Sequence, residues 1–451
     1  MATVTCPGCR ERDRRIDALE KSVAELEALV RELQARLGAN ATNSGTPPSA
    51  NPLHAPKPVV KKPTGKKPGG QPGHPAHLKQ RLPPERVQHV FVFVPEHCAR
   101  CRQPLPAAAG PNEPAPTWHQ VAELPPLAAA VTEYQGHYRT CPGCGHCSHA
   151  PVPQELKAHS IGPRLAATLG YLAGSHRVSK RGLEEIAQDV FEVPVSLGTL
   201  IHLEDQLSQA LQPAHAEVLA EVRDADVKHV DETSWKQAGK LCWLWLAATQ
   251  TAAVFLIHAR RGWAALQALL GPTIRGLVCS DRWSAYRKLS AFCRQICWAH
   301  LRRDFQKLID RGGAAPRIGR RLQRLGDPVF EAWHLFRGGG CDRQELQQRL
   351  DGPARNFERV LKAGRRCADA KAATFCDNVL ELLPAVWRFV VTDGVEPTNN
   401  HAERLLRRGV LWRKSWFGSH SEDGCGFVER LLTVVQTCRL RGHSVLRYLE
   451  D

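Results

Sequence analysis

From residue 225 onward the chain alternates short β-forming apolar runs with helical stretches. VKHVDETSW, KLCWLWLAATQ and AAVFLIHARR are each bounded by polar or glycine positions and predict three strands. WAALQALLG has a helical rhythm. GLVCSDRWSAY returns to a strand that ends in an acid, and QICWAHLRR reads as a strand running into a helix. Residues 301 to 392 are long and helical, with breaks at Gly312–Gly313 and Gly338–Gly340. The last stretch, 397 to 451, is helical and rich in arginine. The pattern predicts an α/β domain over 225–420, with a helical insertion at about 304–396 and a C-terminal helical segment over 421–451.

Upstream the texture differs. In 12–38, Ile16, Val23, Val30 and Leu37 fall at one heptad position and Leu19, Leu26 and Leu33 at another. β-branched residues at the first and leucine at the second favour a parallel two-stranded coiled coil, which Arg15 and Glu20 could pair across; the alternative is one amphipathic helix packed on its own chain. Residues 39–84 are rich in proline, glycine and lysine, with Lys61, Lys62, Lys66 and Lys67 in a stretch that lacks acids. Such a segment cannot build a core and reads as a basic tether able to follow phosphates, or as a solubilising linker. Over 155–215 the pattern is helical. Leu183, Ile186 and Ala187 line one helix, Val193 and Pro194 break it, and Ser196 is placed to cap a second helix carrying Leu200, Ile201 and Leu203. This is the rhythm of a helix-turn-helix, which is both a DNA reader and a common bundle fragment.

The charge sharpens the picture. The 451 residues carry a formal charge of +16, with a pI near 9.3, and the clustering of that charge favours a polyanionic partner. No run approaches the ~18 apolar residues of a membrane span. The polar start lacks the apolar segment of a signal peptide, so a cytoplasmic, nucleoid-associated setting is expected. The sixteen cysteines then read as thiols and metal ligands and not as disulfides.

Two CxxC pairs, Cys98/Cys101 and Cys141/Cys144, predict a closed tetrahedral zinc site that folds a module over 85–150, with β-rich sequence such as EYQGHYRT between the pairs. His97, His146 and Cys147 are adjacent substitutes for a ligand. Cys6/Cys9 is a lone pair whose two copies could meet beside the coiled coil of a dimer. Cys297-x-x-His300 would need two further ligands to hold zinc, and otherwise reads as a satisfied core pair. Asp231 and Asp281 are expected at strand ends. Glu403 is expected on a helix opened by Thr398 or Asn399. Clustered carboxylates repel one another unless cations neutralise them, and oxygen ligands suit a pair of Mg²⁺ or Mn²⁺ ions. The tryptophans Trp235, Trp243, Trp245 and Trp298 read as core.

The ordered set NSGTPPS, GGQPGH, the two CxxC pairs, DET (231–233), DRWSAY (281–286), CWAHLRR (297–303) and NNHAERLLRRGVLWRKSWFGS (399–419) resembles the insertion-sequence 66 family of bacterial transposases across nearly the whole chain. Gly45 and Gly409 stand where members of that family usually differ. The resemblance implies a ribonuclease-H-like DDE domain with Asp231, Asp281 and Glu403 as its triad, preceded by coiled coil, zinc module and helical DNA-binding region. Two Mg²⁺ or Mn²⁺ ions and one structural Zn²⁺ are the implied cofactors. Element ends and target DNA are the implied partners, with a homodimer or higher oligomer and companion element-encoded proteins. Arg404, Arg407, Arg408, Arg413 and Lys414, after Glu403, are expected at phosphates. Two rival readings remain: a catalytically inactive DNA-binding regulator, and a nuclease without strand transfer.

Overall fold

The computed structural model describes residues 7–37, 80–108, 110, 111, 113–157 and 160–451. The basic tether with Lys61, Lys62, Lys66 and Lys67, the NSGTPPS and GGQPGH segments, and the Cys6/Cys9 side chains lie outside the described residues. Helix α1 is Pro7–Leu37. Its described heptad residues Ile16, Leu19, Val23, Leu26, Val30 and Leu33 are exposed in the single chain.

Next in the chain come β1 (Tyr138–Thr140) and β2 (Cys147–His149), an antiparallel pair that brackets Cys141 and Cys144. Among the described residues of 87–136, the isolated bridge His97–Pro104 is the strand pairing found. The β-rich insert expected there is confined to β1. Among the described residues no apolar layer covers this stretch: Val90, Phe91, Val92, Phe93 and Val121 are all exposed, which leaves the ordering of a larger sheet without compensation from them.

A helical unit follows the short α2 (Gln154–Lys157). It comprises α3 (Pro163–His176), α4 (Lys180–Phe191), α5 (Leu197–Ala210) and α6 (Gln212–Asp224). Ser179 and Ser196 cap α4 and α5 by accepting the Gly182 and Thr199 N–H groups. Between them Glu192 turns left-handed. Leu169, Ala173, Leu183, Ala187, Val195 and Leu200 form a small core of their own.

The main sheet has five strands in the order β5-β4-β3-β6-β7. These are β3 (Val227–Gln237), β4 (Lys240–Ala248), β5 (Ala253–His258), β6 (Leu277–Ser280) and β7 (Arg294–Ile296). β3, β4 and β5 form an antiparallel meander, whereas β6 and β7 run parallel to β3. Ala238 and Gly239 both have positive φ, the backbone of a tight β3–β4 hairpin turn. One sheet face packs on α6 and α7 (Trp263–Leu270) through Val222, Leu266 and Leu269. The other face receives α14 (Asn400–Trp416) and α15 (Glu422–Leu440), with Trp235, Leu244, Leu406, Trp412 and Leu432 between them.

Between β7 and α14 the chain forms α8 (Trp298–Asp310), α9 (Ala315–Arg337), α10 (Arg343–Gly364), α11 (Ala370–Glu381), α12 (Leu383–Val386) and α13 (Arg388–Val391). The breaks fall at the glycines: Gly312, Gly313 and Gly339 have positive φ. This helical insertion has its own core around Trp298, Phe305 and Phe357, continuous with Leu277 and Ile296 of the sheet. The chain ends in α16 (Val445–Glu450). No helix among the described residues is long and apolar enough to cross a membrane. Trp235, Trp245 and Trp298 are fully buried, while Trp243 is partly buried beneath Arg261.

The outer strand β5 is closed by side chains. Glu429, Thr433 and Thr437 of α15 accept the N–H groups of Ile257, Phe255 and Ala253 at 2.5, 3.0 and 3.1 Å. Four helical residues rise ~6 Å and two strand residues rise ~6.7 Å, so one acceptor per turn meets every second N–H. An otherwise open sheet edge is thereby sealed.

Burial pushes the Glu429 carboxyl up from 4.5 to about 7, with the Ile257 N–H acting the other way. The folded chain therefore holds this proton more tightly than the unfolded chain. The stabilisation is fully present below pH 4.5 and is lost as pH rises through 7. At ~1.4 kcal/mol per unit the swing is about 3–4 kcal/mol. Glu429→Gln keeps the acceptor without the charge. Urea midpoints at pH 5 and pH 8 should show the variant gaining on the parent at the higher pH; an equal difference at both would contradict this.

Candidate active site

Asp231 was expected at the end of a strand. It lies in the middle of β3, where Leu246 of β4 faces it. On the β6 side the pairing stops at His229 opposite Cys279. Asp231 is thus two residues past the last parallel rung, beside the opening between β3 and β6. Asp281 follows β6 directly, as its sequence context indicates. Its Oδ1 accepts the Trp283 N–H at 2.8 Å, which fixes the turn.

Glu403 stands in the first turn of α14. What brings that turn to the sheet is Asn399. This residue occupies the N-cap position but makes no side-chain cap bond. Its Nδ2 donates to the Val230 carbonyl at 2.8 Å, and its Oδ1 accepts from His229 Nδ1 at 3.0 Å. One amide therefore grips β3 on both residues preceding Asp231. His401 adds a bond from Nε2 to the Thr249 carbonyl at 2.7 Å. Burial drives the His229 imidazole down to about 4, with the Asn399 bond acting the other way.

Asp281 and Glu403 both act electrostatically on Asp231, although ligand oxygens of the three acids do not all lie within 4.8 Å of one another among the described residues. Burial raises the Asp231 carboxyl well above its ordinary range, and Glu232, Asp281 and Glu403 each raise it further. Its Oδ1 accepts the Glu232 N–H at 3.0 Å, which offsets a part of this. The donors are all carboxylate oxygens, and the excess negative charge is what hard divalent cations relieve, so these side chains fit a magnesium-type pair.

A second layer holds this place in shape. Glu232 is buried and accepts from Tyr286 Oη at 2.6 Å and from Arg261 Nε at 2.8 Å. DET and DRWSAY are thus joined by a hydrogen bond between their second and last residues. Arg261 lies against the Trp283 and Trp243 rings, 3.9 and 4.7 Å from their centroids. Burial lifts both the Glu232 carboxyl and the Tyr286 hydroxyl. On the other side, Glu403 Oε1 lies 3.4 Å from His300 Nδ1 and 3.5 Å from Arg303 Nη2, both on α8. Glu232, Tyr286, Arg261 and Arg303 were not singled out in the sequence, and Asn399 was read only as a helix opener. For Glu232, Tyr286 and Asn399, membership of the same short motifs as the acids was the available signal.

The basic residues divide. Arg404, Arg407 and Lys414 are exposed on α14. Arg413 is turned inward, donating to Thr233 Oγ1 at 3.0 Å and to the Ser234 carbonyl at 2.5 Å. Arg408 donates to the Ser175 carbonyl at the end of α3 at 3.2 Å. Arg282, beside Asp281, is paired with Asp304 of α8 at 2.6 Å.

The two CxxC pairs share one local geometry. The Cys98 N–H donates to Gln103 O and the Cys141 N–H to His146 O, at 2.9 and 2.8 Å. Arg102 and Gly145, each four residues on, return their N–H to the first cysteine's carbonyl at 2.9 Å, with positive φ. Backbone N–H groups of Cys101 and Arg100 lower the Cys98 thiol, and those of Gly143 and Cys144 lower that of Cys141. No three of these cysteines lie within 4.8 Å of one another among the described residues.

A mixed sheet flanked by helices, with acids gathered at the β3–β6 opening, is an arrangement consistent with a transposase domain. Residues 159–426 match the Transposase IS66 family, and the chain belongs to that family. Three proteins of Sinorhizobium fredii, each described as uncharacterized, are similar to it. y4hP is 25% identical over 349 residues, 69% of this chain and 62% of its own length. y4qI is 28% identical over 196 residues, 39% and 35% of the two chains. y4jO is 28% identical over 186 residues, 41% and 53%. The match thus spans less than two thirds of each relative.

Removing the Asn399 amide leaves the Val230 carbonyl and the His229 ring without partners. Asn399→Ala should cost about 2–4 kcal/mol and lower the thermal midpoint, with no change for Asn400→Ala on the exposed side of the same turn. Equal midpoints for both would remove Asn399 from this role.

Proposed function

We propose that this chain is a DDE transposase that binds the ends of a mobile element and carries out metal-dependent DNA cleavage and strand transfer. The observation that carries the reading is that Asp281, at a strand end, and Glu403, on a distant helix, both act on the buried carboxyl of Asp231 on a central strand. Family membership supports it. The sheet order, with its three-stranded meander followed by two parallel strands, supports a ribonuclease-H-like fold for 225–420.

In this reading Asp231, Asp281 and Glu403 hold two Mg²⁺ or Mn²⁺ ions. Such ions supply charge that activates a water or sugar hydroxyl and stabilises the departing oxygen of a phosphodiester. The chain's own part is positioning. Asn399 fixes the Glu403 helix on β3, and Glu232 with Tyr286 and Arg261 keeps the two aspartates' supports rigid. Arg303 lies beside Glu403, where a phosphate backbone would pass. Arg404, Arg407 and Lys414 are the free cations of α14 for DNA, together with the tether's Lys61, Lys62, Lys66 and Lys67. Arg408 and Arg413, with their internal partners, contribute to structure first. The unit α3–α5 is assigned to end binding.

The two matched knuckles, each with N–H groups directed at its first sulfur, support a structural Zn²⁺ on Cys98, Cys101, Cys141 and Cys144. The exposed heptad face of α1 supports a two-stranded coiled coil and a dimer. A nucleoid setting and element-encoded companions complete the reading.

Asp231→Asn, Asp281→Asn and Glu403→Gln should each lower cleavage of end DNA in Mg²⁺ by at least ~10³-fold while end binding persists in a mobility-shift assay. Strand transfer surviving in any one variant would remove that residue from the triad. Joined products from end and target DNA favour the transposase over a nuclease, and binding without any cleavage favours the regulator. For the module, the Cys141→Ser protein should carry one zinc fewer than the parent by metal analysis; equal content would exclude the four-thiolate site.

A further inference from the structure

In the sequence Cys297 and His300 lack companions. The fold supplies one. Cys297 Sγ, a ring nitrogen of His300 and a carboxylate oxygen of Glu403 all lie within 4.8 Å of one another. We propose that these three side chains form a separate site for a zinc-class divalent cation, sharing Glu403 with the proposed magnesium pair.

The donor set decides the class of ion. Sulfur, imidazole and carboxylate together suit a borderline-soft cation, whereas Mg²⁺ takes oxygen donors and holds them in a stricter geometry. Three protein ligands leave a fourth position open, so the site is of the exchangeable and not the closed kind.

Each ligand is arranged for the role. Cys297 is the N-cap residue of α8 and His300 lies in its first turn, so both face the same side. Cys297 Sγ accepts the Asn399 N–H at 3.1 Å. Burial pushes the Cys297 thiol up to about 12, and that bond and the helix N-terminus act the other way, so without an ion the sulfur is a thiol. His300 Nδ1 is shielded from solvent, is 3.4 Å from Glu403 Oε1, and makes no hydrogen bond among the described residues. An imidazole nitrogen with no bond to give up is available as a ligand. The His300 side chain is 26% exposed and that of Glu403 36%, while Cys297 is 1% exposed. An ion therefore enters from the side of the acids, and the thiol forms the floor. On binding, the sulfur–metal bond replaces the thiol S–H bond, and one proton leaves to solvent.

The consequence rests on the magnesium reading above. A carboxylate oxygen engaged by the soft pair is withdrawn from Asp231 and Asp281, so zinc would oppose magnesium at Glu403. The site itself stands or falls without any cleavage assay.

The test is metal uptake by the full-length, metal-stripped protein. Co²⁺ is titrated while thiolate-to-cobalt absorbance is followed, and Zn²⁺ stoichiometry is measured by equilibrium dialysis. The parent protein should take up one equivalent more than Cys297→Ser and one more than His300→Gln. Asp231→Asn, which leaves all three ligands in place, should keep that equivalent. The zinc module's thiolates contribute equally throughout and cancel in the comparison. Circular dichroism identifies a variant that fails to fold, and the other then carries the comparison. Equal uptake and equal thiolate absorbance in the parent and in a folded variant of either ligand would overturn the site. That result would leave the magnesium triad untouched, just as strand transfer surviving in the triad variants would leave this site untouched.

Discussion

Carboxylates that repel one another have to be held together by something other than themselves. Asp231 is buried on a central strand, and Asp281 and Glu403 stand near enough to raise its proton affinity further. Left to their mutual field, the three would separate or take up protons. The restraint comes from packed, hydrogen-bonded structure on each side. β3 is fixed by pairing with β4 from His229 to Gln237. The turn after β6 is fixed by the Asp281–Trp283 bond. The α14 turn is fixed by Asn399 on the two residues that precede Asp231. An unfavourable electrostatic assembly of this sort is worth maintaining only where a cation or a reaction uses it.

The same logic explains the depth of the supporting layer. Glu232 puts a fourth carboxylate beside the three, which by charge alone makes matters worse. It is buried with two donors, Tyr286 and Arg261, so its charge is shared with a guanidinium that itself lies between two indole rings. Removing either donor would leave a buried carboxylate short of partners, which costs more than the bond was worth. The motif residues flanking the acids are therefore best understood as one network that ties β3 to the turn after β6, with Arg261 bridging from the end of β5.

Much of this fold was legible in the sequence, because it depends on local chemistry. The runs at 225 to 260 became β3, β4 and β5. The serine before Leu197 caps α5, and the insertion breaks at Gly312–Gly313 and at Gly338–Gly340. What was not legible depends on partners far apart in the chain. Asp231 looked like a strand end because the apolar pattern stops there, yet the hairpin with β4 carries β3 six residues further. Asn399 looked like a cap, and its side chain instead reaches a strand 169 residues earlier. Arg413 looked like a free cation, and it serves Thr233 and Ser234. No periodicity in one segment reports such contacts. The β-rich insert expected between the CxxC pairs failed for the opposite reason: EYQGHYRT has β-forming composition, but Tyr134 and Tyr138 are exposed and no apolar layer among the described residues covers them.

The helix that carries Glu403 also ties the DNA-binding candidate to the acids. Arg408 of α14 and Trp416 at its end donate to the carbonyls of Ser175 and Arg177, where α3 terminates. Arg430 of α15 donates to Ser208 near the end of α5. Terminal carbonyls of a helix have no partners within it, so these bonds satisfy groups that packing alone would leave open. They also fix the α3–α5 unit to the helices that flank the sheet. Gly174 of α3 closes the contact, since a side chain there would run into Leu431 of α15. A DNA end gripped by α3–α5 would thus be referred, through α14, to the position of Glu403. That coupling is mechanical and needs no conformational change: the same helix presents Arg404 and Arg407 to solvent and Glu403 to the acids. It divides the arginine-rich sequence after Glu403 into two faces, one that holds the chain together and one that presents its cations to solvent.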